Sequence, residues 1–314
     1  MPEHAAAGRG AATAPCRRRR LPRALLAVTL LLLALAGCTG GFLQPDAIDH
    51  DHPARYGLWH DEVRFATSGG QRLRGWFLPA RGVPLGTVVW FQDGTGNLTT
   101  SLQAAKWLPY EGYHVLLFDY RGFGGSPGED DLALAAQDGA AALRFIRGHK
   151  AVDAQRLIVY GRGVGALLAV RAMAESGTDG IRLAIVEDGF RSFREVVRLR
   201  LDSHILTWAF QYPVAYLFFS DEEGADAALP AMAGLPLLAL HGEYNETVPP
   251  AAGRQLFNAW PSPDKTWWTV PAGTHLSAED STRYIWQEQI LAKLQTLFPE
   301  PLPPRGYTLP KADE

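Results

Sequence analysis

From about Trp59 to Phe298, short runs of β-branched and aromatic residues alternate with longer stretches whose apolar positions recur every three or four residues. The first pattern predicts strands at Glu62–Ala66, Leu73–Pro79, Thr87–Gln92, His114–Asp119, Leu157–Tyr160, Leu183–Glu187, Leu237–His241 and Lys265–Val270. The second predicts helices at Thr99–Tyr110, Leu132–Arg147, Gly165–Ser176, Ala251–Trp260 and Thr282–Phe298. Runs such as VLLFD, LIVYG and LLALHG are nearly unbroken apolar, as strands covered on both faces must be. The expected fold is therefore α/β: an eight-stranded, mostly parallel sheet with helices on both faces. The stretch Phe190–Met232, 43 residues long, exceeds a short crossover and is expected to form a helical cap over the C-terminal edge of the sheet. Its aromatics, among them Trp208, Phe210, Tyr212, Tyr216, Phe218 and Phe219, either pack the cap onto the body or line a hydrophobic cleft, and packing is the expectation.

The ends of the chain read differently. Arg17 to Arg20 precede Ala24 to Gly37, an apolar run of about 14 residues where a spanning helix needs about 20. That run ends in Leu35-Ala36-Gly37-Cys38, which resembles the lipobox of bacterial lipoproteins. The resemblance implies a signal peptide over residues 1–37, a diacylglyceryl group on Cys38 and a lipid-anchored protein of the bacterial cell envelope. With Thr39 rather than Asp after the Cys, the outer membrane, facing the periplasm, is the expected address. Residues 38–58 are expected to form a tether, the globular domain to run from 59 to 298, and residues 299–314 to form a Pro-rich tail. His50, His52 and His60 near the tether lack the rigid frame of a metal site and are read as part of a solvated linker.

Charge and cysteine content narrow the partners. The chain carries 30 Lys+Arg against 33 Asp+Glu, but residues 1–37 hold six of the Arg and one acid, so the rest carries about −8. A mildly acidic body offers no footprint for a phosphate backbone, and nucleic-acid binding is not expected. The two cysteines are Cys16 and Cys38, so the mature body has no internal disulfide and rests on its core. No metal or other cofactor is called for.

Five motifs carry the chemistry. Phe91-Gln92-Asp93-Gly94-Thr95-Gly96-Asn97-Leu98 follows the third expected strand, and Asp119-Tyr120-Arg121-Gly122-Phe123-Gly124 the fourth. Gly161-Arg162-Gly163-Val164-Gly165 stands between the fifth strand and a helix, the frame of a nucleophile elbow whose usual form is G-x-S-x-G. His241-Gly242 with Val248-Pro249, and Ala272-Gly273-Thr274-His275, complete the series. In this order the motifs resemble the α/β-hydrolases, in the branch with serine aminopeptidase-like and membrane-associated hydrolases.

The resemblance implies a nucleophile at Gly163, an acid at Asn245 and a base at His275, and two of these three cannot do the family's chemistry. Glycine has no hydroxyl, so no acyl-enzyme can form on it. An Asp there would fix the His tautomer and stabilise an imidazolium; Asn245 cannot do the second, and the analogous Asp-to-Asn change costs a serine protease about four orders of magnitude. Glu243, Glu246, Glu187 or Asp188 are alternative acids, with Asp188 the leading one. Backbone N–H groups of Thr95 and Val164 are the expected oxyanion donors, with the Asp93 carboxylate opposing them. Asp119 and Arg121 are expected to pair as a turn brace, Ser126 to be a turn residue and His241 to be structural. The expected function is thus a lipid-anchored pseudoenzyme that binds a small apolar or ester-like ligand or a protein partner. The alternative is a weak, serine-independent hydrolase of small esters, amides or lipids in which His275 activates water. A purely structural role without ligand is the third reading.

Overall fold

The computed structural model describes residues 42–203, 205–276 and 283–299. Cys16, Cys38, Thr39, Thr282 and the tail beyond Pro299 lie outside the described residues. Eight strands form one sheet: β1 (Asp61–Ala66), β2 (Arg72–Leu78), β3 (Gly86–Phe91), β4 (Tyr113–Phe118), β5 (Leu157–Arg162), β6 (Ile181–Glu187), β7 (Leu237–Gly242) and β8 (Lys265–Val270). Their spatial order is β1-β2-β4-β3-β5-β6-β7-β8. β2 is antiparallel to both its neighbours and the remaining pairs are parallel. The α-helices are α1 (Leu98–Ala105), α2 (Leu132–Arg147), α3 (Val164–Ser176), α4 (Phe193–Asp202), α5 (Gln211–Phe218), α6 (Pro250–Ala259) and α7 (Arg283–Leu297).

The hydrophobic pattern becomes two cores, one on each face. Every residue of β3, β4, β5 and β7 is buried, and neighbours along a strand serve opposite sides. Val89, Phe118 and Val159 pack against α2 and α3, while Val88, Leu117 and Ile158 pack in the other core with α1 and α7. The edge strand β1 alternates exposed positions (Glu62, Arg64, Ala66) with half-buried or buried ones (Asp61, Val63, Phe65) because only one of its faces is covered. Asn97, Asp131 and Ser192 start α1, α2 and α4 with side-chain caps.

Three expectations for the globular domain need correction, and a fourth for the segment that precedes it. The helix expected over Thr99–Tyr110 stops at Ala105, and a 3-10 turn follows over Leu108–Glu111, where Pro109 brings no N–H to continue the ladder. Arg121 does not pair with Asp119: its guanidinium grips Asp138 of α2, with Nη2 2.5 Å from Oδ1 and Nε 3.0 Å from Oδ2, and the Arg121 N–H donates to the same carboxylate at 2.8 Å. Asp119 instead accepts from the N–H groups of Leu98 and Gly125. In the cap, Trp208, Phe210, Tyr212 and Tyr216 neither pack inward nor line a cleft; they are exposed, while the small Val214 and Ala215 fill the inner face of α5.

The segment read as a solvated linker is docked from Phe42 onward. Phe42 stacks edge-on against Phe193, ring centres 4.6 Å apart, and also meets Phe190 and Phe219. Gln44-Pro45 pairs in parallel with Thr95-Gly96, with Gln44 N–H donating to Gly94 O. Asn97 Nδ2 donates to the carbonyls of Asp46 and Ile48, and Asp49 takes both terminal nitrogens of Arg74 at 2.8 Å. Gly94 is required here, because a side chain at that position would run into the Phe42 carbonyl. His50 bonds Asp46 and His52 caps the turn at Ala54 with its ring against His60, so the histidines of this stretch have structural partners.

Candidate functional site

The C-terminal ends of β3, β5, β6, β7 and β8 deliver Asp93, Gly163, Asp188, Asn245 and His275 to one open cleft of about 990 Å³. Of these, Asp93, Asn245 and His275 line it directly, together with Thr95 and Val164. Residues of the cap, Leu199 and Arg200 among them, form one wall, and Phe42 closes in from the docked N-terminal segment.

The elbow keeps its strained form without its side chain. Gly163 has φ +51° and ψ −120°, and its N–H donates to Glu187 O at 2.9 Å. A Cβ built on Gly163 would collide with Asp93 Oδ1 and lie 2.8 Å from Asp93 Cγ. The space a nucleophile would need is thus filled by a carboxylate from the loop after β3. Val164 N–H, the expected oxyanion donor, gives its hydrogen bond to Asp93 Oδ1 at 2.9 Å. Thr95 lines the same cleft and pairs with Gln44 in the short two-stranded ladder.

Donors converge on that carboxylate. Val248 N–H donates to Asn245 Oδ1 at 2.8 Å, which turns the amide nitrogen of Asn245 toward His275 Nδ1, 3.1 Å away. An Nδ1 that receives an N–H carries no proton, so the ring hydrogen sits on Nε2, and Nε2 lies 3.5 Å from Asp93 Oδ2. An Asp at position 245 would accept from Nδ1–H and leave Nε2 as a base; Asn245 reverses the sense of the chain. Burial works to raise the Asp93 pKa, yet His275 and the N–H groups of Val164 and Gly94 outweigh it and hold the carboxyl below its ordinary value.

The remaining acids have separate duties. Asp188, in a left-handed conformation at φ +52°, accepts from Gly242 N–H at 2.9 Å and from Leu276 N–H at 2.5 Å, and so fastens the loop that carries His275. Its Oδ2 lies 3.7 Å from His275 Nδ1. Glu187 faces away from the cleft, bonded to Arg162 Nε at 2.9 Å and to the Tyr160 hydroxyl at 3.1 Å. Burial pushes its pKa up against the pull of Arg162. Glu243 bonds Ala272 N–H and Glu246 is on the rim. His241 is buried, with Nε2 2.9 Å from Val248 O and its ring stacked on Trp267. Burial depresses the pKa of Arg200, against the attraction of Asp93, and its guanidinium donates to Thr247 O. That Asp93 takes the place of the missing hydroxyl was hidden in sequence, although glycine at 163 is what makes the room.

Comparisons with known proteins agree with the fold. Residues 84–187 match the family described as serine aminopeptidase, S33. The uncharacterized protein YfhR of Escherichia coli (strain K12) is 25% identical over 236 residues, covering 74% of this chain and 79% of that protein. The α/β hydrolase domain-containing protein WAV2 of Arabidopsis thaliana is 26% identical over 262 residues, 79% of this chain and 82% of its own. Among solved structures, the Pyrococcus furiosus esterase Pf2001 superposes with a TM-score of 0.67 at 18% identity, over 82% of this chain and 98% of that one. Strand order, elbow and the loops that meet at the cleft make this chain an α/β-hydrolase-fold protein.

Proposed function

We propose that this protein is a lipid-anchored component of the bacterial envelope, tethered through Cys38 at the outer membrane, that binds a small apolar or ester-like ligand or a protein partner without serine-hydrolase turnover. The observation that carries the reading is the Asp93 carboxylate in the space of a nucleophile side chain, bonded to the N–H that would stabilise an oxyanion. A carbonyl substrate would meet a fixed negative charge where its own must develop, and a ring nitrogen that already holds its proton. The open cleft under the cap remains large enough for a drug-sized molecule. Asp93 disfavours carboxylate ligands and favours neutral or hydrogen-bond-donating ones.

One observation favours the slow-hydrolase reading: Asp188 Oδ2 stands 3.7 Å from His275 Nδ1, and a small shift would bring it into hydrogen-bond reach if Asn245 turned away. Hydrolysis of p-nitrophenyl esters of several chain lengths by the mature protein and by His275→Ala separates the two. The expected rate is that of the buffer for both proteins, with no fluorophosphonate labelling. Turnover that vanishes in His275→Ala would establish the hydrolase instead.

A further inference from the structure

The cap carries an apolar face that the rest of the domain leaves open. Ile205 is 94% exposed, Leu206 86%, Leu217 74%, and Trp208 and Tyr216 60% each, with the exposed Tyr212 ring stacked on Tyr216. Elsewhere among the described residues, large exposed apolar side chains such as Trp59, Val83 and Tyr110 are scattered through the sequence, as on any soluble surface. Helix α5 lacks the polar outer face of a normal surface helix: Val214 and Ala215 face inward, yet Tyr212, Tyr216 and Leu217 also face out. The face adjoins the cleft, since Leu199, Leu201 and Thr207 line that opening.

We propose that this face docks on the surface of a lipid bilayer. Trp and Tyr rings with one polar tip suit the headgroup boundary, and Ile205, Leu206 and Leu217 supply aliphatic surface to insert below it. Arg194 and Arg198 lie over the rings of Tyr216 and Tyr212, positioned to stay at the headgroup level. The chain itself points to this occupant. Phe42 packs on Phe193 and Phe219 of the cap, and three residues separate it from Cys38. A lipid on Cys38 would therefore hold the cap side of the domain against the membrane, and to that extent the inference rests on the proposed anchor. From Arg191 to Glu223 four Arg face five acids, so there is no cationic excess. Docking is apolar, requires no anionic lipid and withstands salt.

The test uses the full acylated protein in phosphatidylcholine vesicles, with an environment-sensitive fluorophore on Leu217→Cys or on Val83→Cys, which lies before β3 at the sheet end away from the cleft. The expected result is a blue shift and quenching by a lipid-borne spin label at 217 but not at 83, unchanged in 0.5 M salt, where screening acts within roughly 4–5 Å. A membrane-bound protein whose 217 label stays unquenched would overturn the docking face and leave the anchor intact. If the protein carries no lipid, the anchor fails separately. The same quenching, read after vesicles are added to the soluble protein, then sustains the face or, by its absence, overturns it. A mass that doubles with concentration without vesicles, and is blocked by the 217 label, would assign the face to a second copy and overturn the proposal.

Discussion

A single pair of residues changes the chemistry of the cleft. Gly163 without a side chain and Asp93 with a carboxylate are complementary: each fits because of what the other has. Gly163→Ser alone should cost about 1–3 kcal/mol of stability, because the new Cβ meets Asp93 in a left-handed backbone. Denaturant unfolding would read that loss, and Asp93→Gly in the same chain should recover most of it. Neither the single nor the double variant should take up a fluorophosphonate, because Asn245 keeps the ring proton of His275 on Nε2. Labelling is expected only when Asn245→Asp is added, and labelling of Gly163→Ser alone would contradict the donor chain that runs from Asn245 through His275 to Asp93. The glycine and asparagine were legible in sequence as losses. That the vacancy is filled was not, because it depends on a loop 70 positions earlier meeting the elbow across two neighbouring strands.

At the level of elements, periodicity located the strands and most helices because burial on two faces leaves an unmistakable apolar run. It did less well where partners are remote. Arg121 and Asp119 are two residues apart and looked like a pair, but successive odd positions on a turn need not face each other, and Asp138 from α2 reaches the guanidinium instead. Asp138 is fully buried and accepts four hydrogen-bond contacts from Arg121. Asp138→Ala should therefore destabilise the domain by about 3–5 kcal/mol, by stranding a buried guanidinium, as chemical denaturation would show. The cap shows the opposite limit of pattern reading: aromatic content signalled apolar surface, and only the helix orientation shows that it faces outward.

Over the whole molecule, two buried titrating groups act in opposite directions. Burial depresses His114 to about 4, aided by His149, so as pH falls from 6.5 toward 4 the unfolded chain takes up a proton that the folded one refuses, and stability declines. Burial raises Asp119 to about 7 against the backbone N–H groups that bond it, so as pH rises from 4 toward 7 the unfolded chain releases a proton that the folded one keeps, and stability declines. The two windows overlap and offset one another. Asp119→Asn should uncover a stability that climbs with pH between about 4 and 6.5, measured as urea midpoints across that range. A profile unchanged by the substitution would mean that Asp119 is ionised throughout.

The docked N-terminal segment also defines a load path. A pull transmitted along the chain into Phe42 and Gln44 reaches the Gly94 carbonyl next, one residue from Asp93, before it reaches any strand of the main sheet. The pairing there is only two residues long, whereas β3 behind it is hydrogen-bonded on both sides. If the segment is pulled, that short pairing is expected to part before β3 does, so load is shed beside Asp93 and the frame around the site stays standing.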